Sequence, residues 1–359
     1  MQFAHMLRIG VALSLLTSAT AGWAATFCVD SSTELTTAFD VAGSNNEDDV
    51  VRIKTGAYAT SAGSNAFHYA TNQSFAITVQ GGWEALLPFD CFRRIDDPTA
   101  TILSGSNVRR ALQMSGNPAT SGTMVIENLT LRDGHAVEQG GGLRQQGGGA
   151  GFTGNVRVER VYFYNNVSES LGGGASIASE GIVELRNNVF FGNHADSNHG
   201  AAGITALFAS PSSVRSFIGN NTVVANTCGA GGNCQTGGFL LFGTARASVY
   251  SNAFFANDGN DVQFGGASAD LLFNNIHQFF GAPVNNIGNI DVVDPLFANV
   301  LALDFRLRFE SPLRNAGFPG TYPGDVDFGG APRINDDRID IGAFENSEVL
   351  FKSSFQTLQ

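Results

Sequence analysis

The sequence predicts an all-β chain wound as a parallel β-helix solenoid, with a short capping helix at its N-terminal end. Three observations predict it. A nine-residue phrase returns at a near-fixed interval, each copy reads as a strand, and no amphipathic helical pattern fills the intervals. The full copies are Leu185-Arg-Asn-Asn-Val-Phe-Phe-Gly-Asn193, Ile218-Gly-Asn-Asn-Thr-Val-Val-Ala-Asn226 and Val249-Tyr-Ser-Asn-Ala-Phe-Phe-Ala-Asn257, which begin 33 and then 31 residues apart. Ile126-Glu-Asn-Leu-Thr-Leu-Arg-Asp133 and Val158-Glu-Arg-Val-Tyr-Phe-Tyr-Asn165 are copies one residue shorter, and Leu272-Phe-Asn-Asn275 opens a truncated one. A period between about 20 and 50 residues marks a stacked repeat architecture. The Val, Ile and Phe content of each copy marks a strand. Parallel neighbours need a long crossover between them, and here the crossover is itself coil and strand.

The elements follow in order. Arg8, the apolar run Ile9–Leu16 and the small residues up to Gly22-Trp23-Ala24 have the form of a secretory leader over residues 1–24. Its removal takes one Arg and no acid, so the formal net charge moves from −12 to −13. No later stretch is long and apolar enough to span a bilayer. An acidic chain with 14% charged residues and no basic run argues against nucleic acid or an anionic membrane as partner.

Ser31-Ser-Thr-Glu34 is a capping box ahead of Leu35, Ala38, Phe39 and Ala42 at helical spacing, and such a helix covers the open edge of a parallel stack. Asp49–Ile53, Phe75–Val79, Ala100–Leu103 and Ala111–Met114 are the early strands; with the cap they make up residues 25–123. The punctuated repeats occupy 124–290, a closing module 291–346 and a tail 347–359.

Asn suits the left-handed bend between two faces of a repeat, and stacked amides hydrogen-bond along the axis. Asp133, Asn165, Asn193, Asn226 and Asn257 are therefore expected to stack as a structural ladder. Glycine clusters at 140–142, 172–174, 200–203 and 237–238 fall once per repeat; none sits between a strand and a helix as a phosphate loop must, so they are expected at bends. Four cysteines in an exported chain imply two disulfides. Cys228 and Cys234 bracket a flexible five-residue loop, which leaves Cys28 for Cys91.

If Val158 and Leu185 point inward, Arg157 and Glu159 lie against Glu184 and Arg186 on the outer face. Glu127 then faces Glu159. Two carboxylates at that separation can hold a cation, but Arg186 is expected to satisfy Glu159 and solvent to satisfy Glu127. His194, Asp196 and His199, with His135 two repeats earlier, are expected to be loop histidines, because a metal needs three or four convergent ligands.

The pattern resembles the right-handed parallel β-helix proteins of the pectin-lyase-like superfamily. At the C-terminus, Asp294-Pro-Leu-Phe297, Asp304-Phe-Arg-Leu307, Ser311-Pro-Leu-Arg-Asn-Ala-Gly317, Asp325-Val-Asp-Phe-Gly-Gly-Ala-Pro-Arg333 and Asp340-Ile-Gly-Ala-Phe-Glu345 resemble the closing module of the choice-of-anchor Q family of exported bacterial proteins. That module is expected to cap the last repeat with Phe305, Leu307, Ile341 and Phe344. An acidic Ca²⁺ loop from Asp325, Asp327, Asp336 and Asp337 is the candidate metal site, set against a metal-free turn. No organic cofactor is implied.

Many members of the superfamily cleave acidic polysaccharides. Its hydrolases carry Asn-Thr-Asp, Asp-Asp, Gly-His-Gly and Arg-Ile-Lys in order. Here Arg52-Ile53-Lys54 precedes the repeats, Asp133-Gly134-His135 is not followed by Gly, and the repeats contain no paired Asp. Lyases of this fold use acids around Ca²⁺ with a basic residue, for which Glu127, Glu159 and Arg186 are the catalytic candidates. The expected function is a non-catalytic extracellular or cell-surface scaffold that binds polysaccharide or another surface, with a polysaccharide lyase or glycoside hydrolase as the alternative.

Overall fold

The computed structural model describes residues 24–60, 66–87, 90–117, 120–147, 152–197, 200, 202–208, 215–229, 233–243, 246–266, 268–292, 294–320, 326–334 and 338–346. It is built of long parallel sheets. One sheet contains sixteen strands, and its main path runs from Ala25–Val29 through Asp49–Lys54, Ile77–Glu84, Met124–Arg132, Val156–Tyr164, Val183–Arg186, Arg215–Gly219, Arg246–Tyr250 and Ser268–Leu272 to Asn285–Ile287. Every neighbouring pair on that path is parallel. A second run in the same sheet stacks Val189–Phe191, Thr222–Val224 and Ala253–Phe255 beyond the bend. A third stack of eight strands extends from Phe67–Thr71 to Phe279–Phe280, and a short corner stack contains four.

Inward rows explain why the strands hold register. Val51, Val79, Ile126, Val158, Leu185, Ile218, Val249 and Leu271 lie opposite one another from strand to strand, all fully buried. A one-residue slip would turn the whole row to solvent. Phe163 and Phe190 stack at 4.5 Å in the second run.

The helix Ser32–Ala42 begins as its capping pattern requires: the Glu34 N–H donates to Ser31 Oγ at 3.2 Å. Glu34 Oε2 in turn accepts from the Asp30 N–H at 2.9 Å. Leu35, Ala38, Phe39 and Ala42 are buried, and the helix packs on Ala25–Val29, Asp49–Lys54 and Phe67–Thr71 at the start of the stack. The cysteines pair Cys28–Cys91 and Cys228–Cys234, with Cα separations of 5.7 and 4.8 Å. Both lie within ordinary disulfide reach.

Asparagine forms ladders at two corners. At one, Asn166, Asn193, Asn226 and Asn257 are joined by Nδ2–Oδ1 bonds of 3.0, 2.9 and 2.9 Å. The backbone N–H groups of Asn166, Asn193 and Asn226 also donate to the next Oδ1. At the other corner, Asn188, Asn221, Asn252, Asn274 and Asn289 repeat the arrangement at 2.9, 2.8, 2.9 and 2.8 Å. The expected membership changes at its first two places. Asp133 and Asn165 are the left-handed residues, with φ of 50° and 52°, and the same place is filled later by Gly192, Ala225 and Ala256. A left-handed residue here turns its side chain out: Asn165 is exposed and donates to Asp133 Oδ1 at 2.7 Å. The residue after it turns in, so Asn166 is the ladder member.

The C-terminal segment packs along the flank of the stack. Phe297, Phe305, Leu307, Leu313, Phe328, Ile341 and Ala343 share one cluster with Tyr162, Val189, Val224 and Ala253, the outward residues of the second run. This corrects the expected cap: the last strands, Phe279–Phe280 and Asn285–Ile287, leave Phe280 and Ile287 exposed. Outward side chains at the left-handed corner grip the segment. Asn187 Nδ2 donates to the Val326 carbonyl at 2.8 Å, Asn220 Nδ2 to the Asp340 carbonyl at 3.3 Å, and the Phe318 N–H donates to Ser251 Oγ at 2.7 Å. An apolar strand face covered by apolar side chains lowers the free energy more than capping two short edge strands would.

Candidate functional site

With the second run covered by the C-terminal segment, the outer face of the sixteen-stranded sheet is a long accessible surface, and its charge is unlike that of the chain. The strands of this sheet carry Arg52, Lys54, Arg93, Arg94, Arg132, Arg157, Arg160, Arg186, Arg215 and Arg246, which is half of the 20 basic residues. Against them stand Asp49, Glu84, Glu127, Glu159, Glu184 and Asp270, six of 32 acids. Lys54, Arg132 and Arg160 are paired with Asp30, Asp133 and Asp96 from outside these strands, and the remaining arginines supply the basic groups of the main path.

The geometry is built from register. Glu159 lies opposite Glu127 on one side and Arg186 on the other. Arg186 Nη2 donates to Glu159 Oε2 at 2.9 Å, and Arg157 Nε lies 3.8 Å from the same oxygen. One carboxylate therefore sits between two guanidinium groups, with Glu184 opposite Arg157 in register. A second fork repeats it farther along the stack, where Arg215 Nη1 and Arg246 Nη2 each lie 2.8 Å from the buried Asp270 carboxylate. The two arginines and the Asn285 amide hold the Asp270 carboxyl below its usual range even though burial pushes the other way. Arg52 is stacked over Trp83 at 4.1 Å. The Nε–H groups of Arg52, Arg94, Arg157, Arg186 and Arg246 are buried, so the terminal Nη groups are what these arginines can present to a ligand. Guanidinium donors arrayed in this way suit carboxylates, which they take in charge-assisted and bidentate fashion.

Glu127 is not left to solvent as expected. Its side chain is 13% exposed, and its Oε1 accepts from Arg94 Nη1 at 2.7 Å and Gln80 Nε2 at 2.8 Å. Arg94 arrives from the short strand Arg93–Arg94, which folds back antiparallel on Ile77–Glu84. Each catalytic candidate carboxylate thus has its own arginine. Arg94, Arg215, Arg246 and Asp270 are the members that sequence reasoning missed. Arg215 and Arg246 carried a signal, since each stands three residues before the apolar start of its copy.

The other candidates are separate from this face. His194 contacts Thr227 Oγ1 at 2.8 Å and Asp196 Oδ1 at 3.0 Å, His135 lies 3.2 Å from Glu169, and His199 lies outside the described residues. Among the described residues no group of three or more His, Cys, Asp or Glu is placed to hold a metal ion. Of the proposed Ca²⁺ loop, Asp325, Asp336 and Asp337 lie outside the described residues, as does the leader up to Trp23. Asp327 is buried, and both its oxygens are occupied: Oδ1 accepts from the Ala331 N–H at 2.7 Å and Oδ2 from the Glu345 N–H at 2.8 Å. These bonds tie Asp327 into a turn, the metal-free arrangement set against the Ca²⁺ loop.

Asp327 belongs instead to a buried knot with Asp340, Glu345 and Arg333. Arg333 Nη1 lies 3.3 Å from Glu345 Oε1 and its Nη2 donates to the Gly342 carbonyl at 2.6 Å. Burial pushes the Glu345 carboxyl up to about 8, with Arg333 opposing and Asp340 and Asp327 adding. Among the described residues no helix is long and apolar enough to cross a membrane. No family model, curated protein or solved structure matches the chain.

Proposed function

We propose that the chain is an exported, right-handed parallel β-helix that serves as an extracellular or cell-surface scaffold and binds an acidic polysaccharide along its arginine-rich sheet. The resemblance of the C-terminal segment to the choice-of-anchor Q closing module belongs to the same reading. The observation that carries it is the pair of forks, Arg157–Glu159–Arg186 and Arg215–Asp270–Arg246, each with two guanidinium groups on one carboxylate. A carboxylate already bridged by arginine is a poor general base, since losing that pairing opposes proton uptake. The Arg215–Asp270–Arg246 fork carries two guanidinium groups on one acid, which leaves charge for a uronate, and strands about 4.8 Å apart repeat arginine contacts along a polymer. Two disulfides agree with an oxidising compartment.

The test is cosedimentation of the full chain with polygalacturonate and, for comparison, dextran across a range of salt. Binding to polygalacturonate that weakens with salt, and about tenfold with Arg157→Gln, is the expected result. Equal retention on dextran refutes the acidic ligand. Release of fragments with unsaturated ends transfers the same face to a lyase.

A further inference from the structure

The outer face of the eight-stranded stack places a serine hydroxyl against an imidazole. His68 on Phe67–Thr71 lies opposite Gln113 on Leu112–Gly116, and Ser115 follows two residues later on the same face. Ser115 Oγ lies 3.0 Å from His68 Nε2 and 3.2 Å from Gln113 Nε2. A cavity of about 450 Å³ opens over His68 and Ser115 beside the capping helix Ser32–Ala42, whose Asp40 lies in its wall. A hydroxyl within hydrogen-bond reach of a base, in a cavity, is the arrangement that nucleophilic catalysis needs.

The surrounding bonds fix the direction of the proton. Arg110 is buried and donates to the Gly140 and Gln139 carbonyls at 2.7 and 3.0 Å, and its Nη1 donates to Gln113 Oε1 at 2.7 Å. The Gln113 amide is thereby turned with Nε2 toward Ser115, so the hydroxyl oxygen accepts from it. The serine hydrogen then goes to His68 Nε2, which also lies 3.4 Å from Gln113 Nε2 and is the acceptor nitrogen of a neutral ring. Burial, helped by Arg110, holds the imidazole below its ordinary 6.5 while Asp40 opposes, so the ring is a free base at pH 7.

The lining selects the substrate. Asn72, Asn117 and Gln146 bring amide donors for a carbonyl oxygen that gains charge and for hydroxyl groups. Among the described residues the lining contains no large apolar side chain, so a long acyl chain finds no surface to bury against. We propose that Ser115 and His68 form an acyl-transfer site, separate from the polymer-binding face, that hydrolyses acetyl-sized esters of a hydroxylated alcohol. Ser115 Oγ bonds to the ester carbonyl carbon while His68 Nε2 takes the hydroxyl proton. The bond to the alcohol oxygen breaks as His68 returns that proton to it. Water, deprotonated by His68, then releases the carboxylic acid and restores Ser115. Gln113 and Asp40 are positioning residues: one orients the hydroxyl, and the other's charge favours the imidazolium.

The experiment is hydrolysis of p-nitrophenyl acetate and p-nitrophenyl octanoate by the full chain, with a fluorophosphonate label located by peptide mass spectrometry. The acetate is turned over at least about tenfold faster, and the label sits on Ser115 with loss of fluoride. Ser115→Ala, at a half-buried position, lowers acetate turnover by about 100-fold and abolishes the label, with the melting temperature unchanged. Asp40→Asn, at an exposed position, shifts the acidic limb of the kcat/KM profile to lower pH, which a merely structural role would not move. Polygalacturonate binding is unchanged in both variants, so the two sites fail independently. Absence of hydrolysis by the wild type, hydrolysis or labelling that survives Ser115→Ala, or octanoate turned over as fast as acetate overturns the proposal.

Discussion

Asn226→Ala tests the ladder at its most connected rung. Asn226 Oδ1 accepts from the Asn193 N–H at 3.1 Å and from Asn193 Nδ2 at 2.9 Å, while its own Nδ2 donates to the Phe190 carbonyl at 3.1 Å and to Asn257 Oδ1 at 2.9 Å. Alanine leaves two buried donors unmet, the Asn193 N–H and one hydrogen of the Asn193 amide, and removes one bond to the Phe190 carbonyl. Asn257 Oδ1 keeps the Asn226 N–H at 3.1 Å. At roughly 1–3 kcal/mol for each buried unsatisfied group, with partial relaxation, the loss is about 2–5 kcal/mol. The paired control is Asn165→Gly. That position is exposed, has a left-handed backbone and loses one surface bond to Asp133, so its change stays within about 1 kcal/mol. Urea unfolding followed by far-UV circular dichroism measures both. A loss at Asn165 equal to that at Asn226, or a loss below about 1 kcal/mol at Asn226, refutes the assignment of ladder and bend.

Ala225 holds φ of 52°, where an L-residue with a Cβ is strained, so Ala225→Gly is neutral or stabilising by up to about 1 kcal/mol in the same assay. A clear destabilisation means that the left-handed geometry is not imposed there. The raised Glu345 carboxyl sets a pH dependence: the folded segment holds this proton more tightly than an unfolded carboxyl with its ordinary value of 4.5. That contribution is complete below about pH 4.5 and is lost as pH climbs toward 8. Amide exchange in residues 338–346, corrected for intrinsic rates, should therefore quicken between those limits in wild type and stay flat in Glu345→Gln; equal slopes would reject the link.

Much of the architecture was legible because an inward apolar row and a corner amide must recur once per repeat. The Asn-Asn doublets at 187–188 and 220–221 show both what could be read and what could not. The first residue of each bends the chain with φ of 54° and 55°, the second enters a buried row, and composition alone does not separate these tasks. The same ambiguity holds for the doublet Asn165-Asn166, whose second member is the one in the row. Register on the outer face was readable from the apolar phase, so Arg157 and Glu184, like Glu159 and Arg186, are opposite one another. The partner of Glu127 was not readable, because Arg94 reaches it through a fold-back 33 residues away in sequence. The lateral course of the C-terminal segment was hidden too, since the residues that grip it, Asn187, Asn220 and Ser251, look in sequence like ordinary turn residues.

A stack of repeats held only by nearest neighbours opens like a zipper, one unit at a time from an end. The grip of one segment on Asn187, Asn220 and Ser251 alters that, because these residues belong to three successive repeats. Fraying any one of them requires the strap to lift from all three. The middle of the molecule therefore melts as a block, while the last strands beyond the strap, Phe279–Phe280 and Asn285–Ile287, remain free to open alone. During synthesis the strap emerges after the repeats it fastens, so those repeats become cooperative only once it has docked.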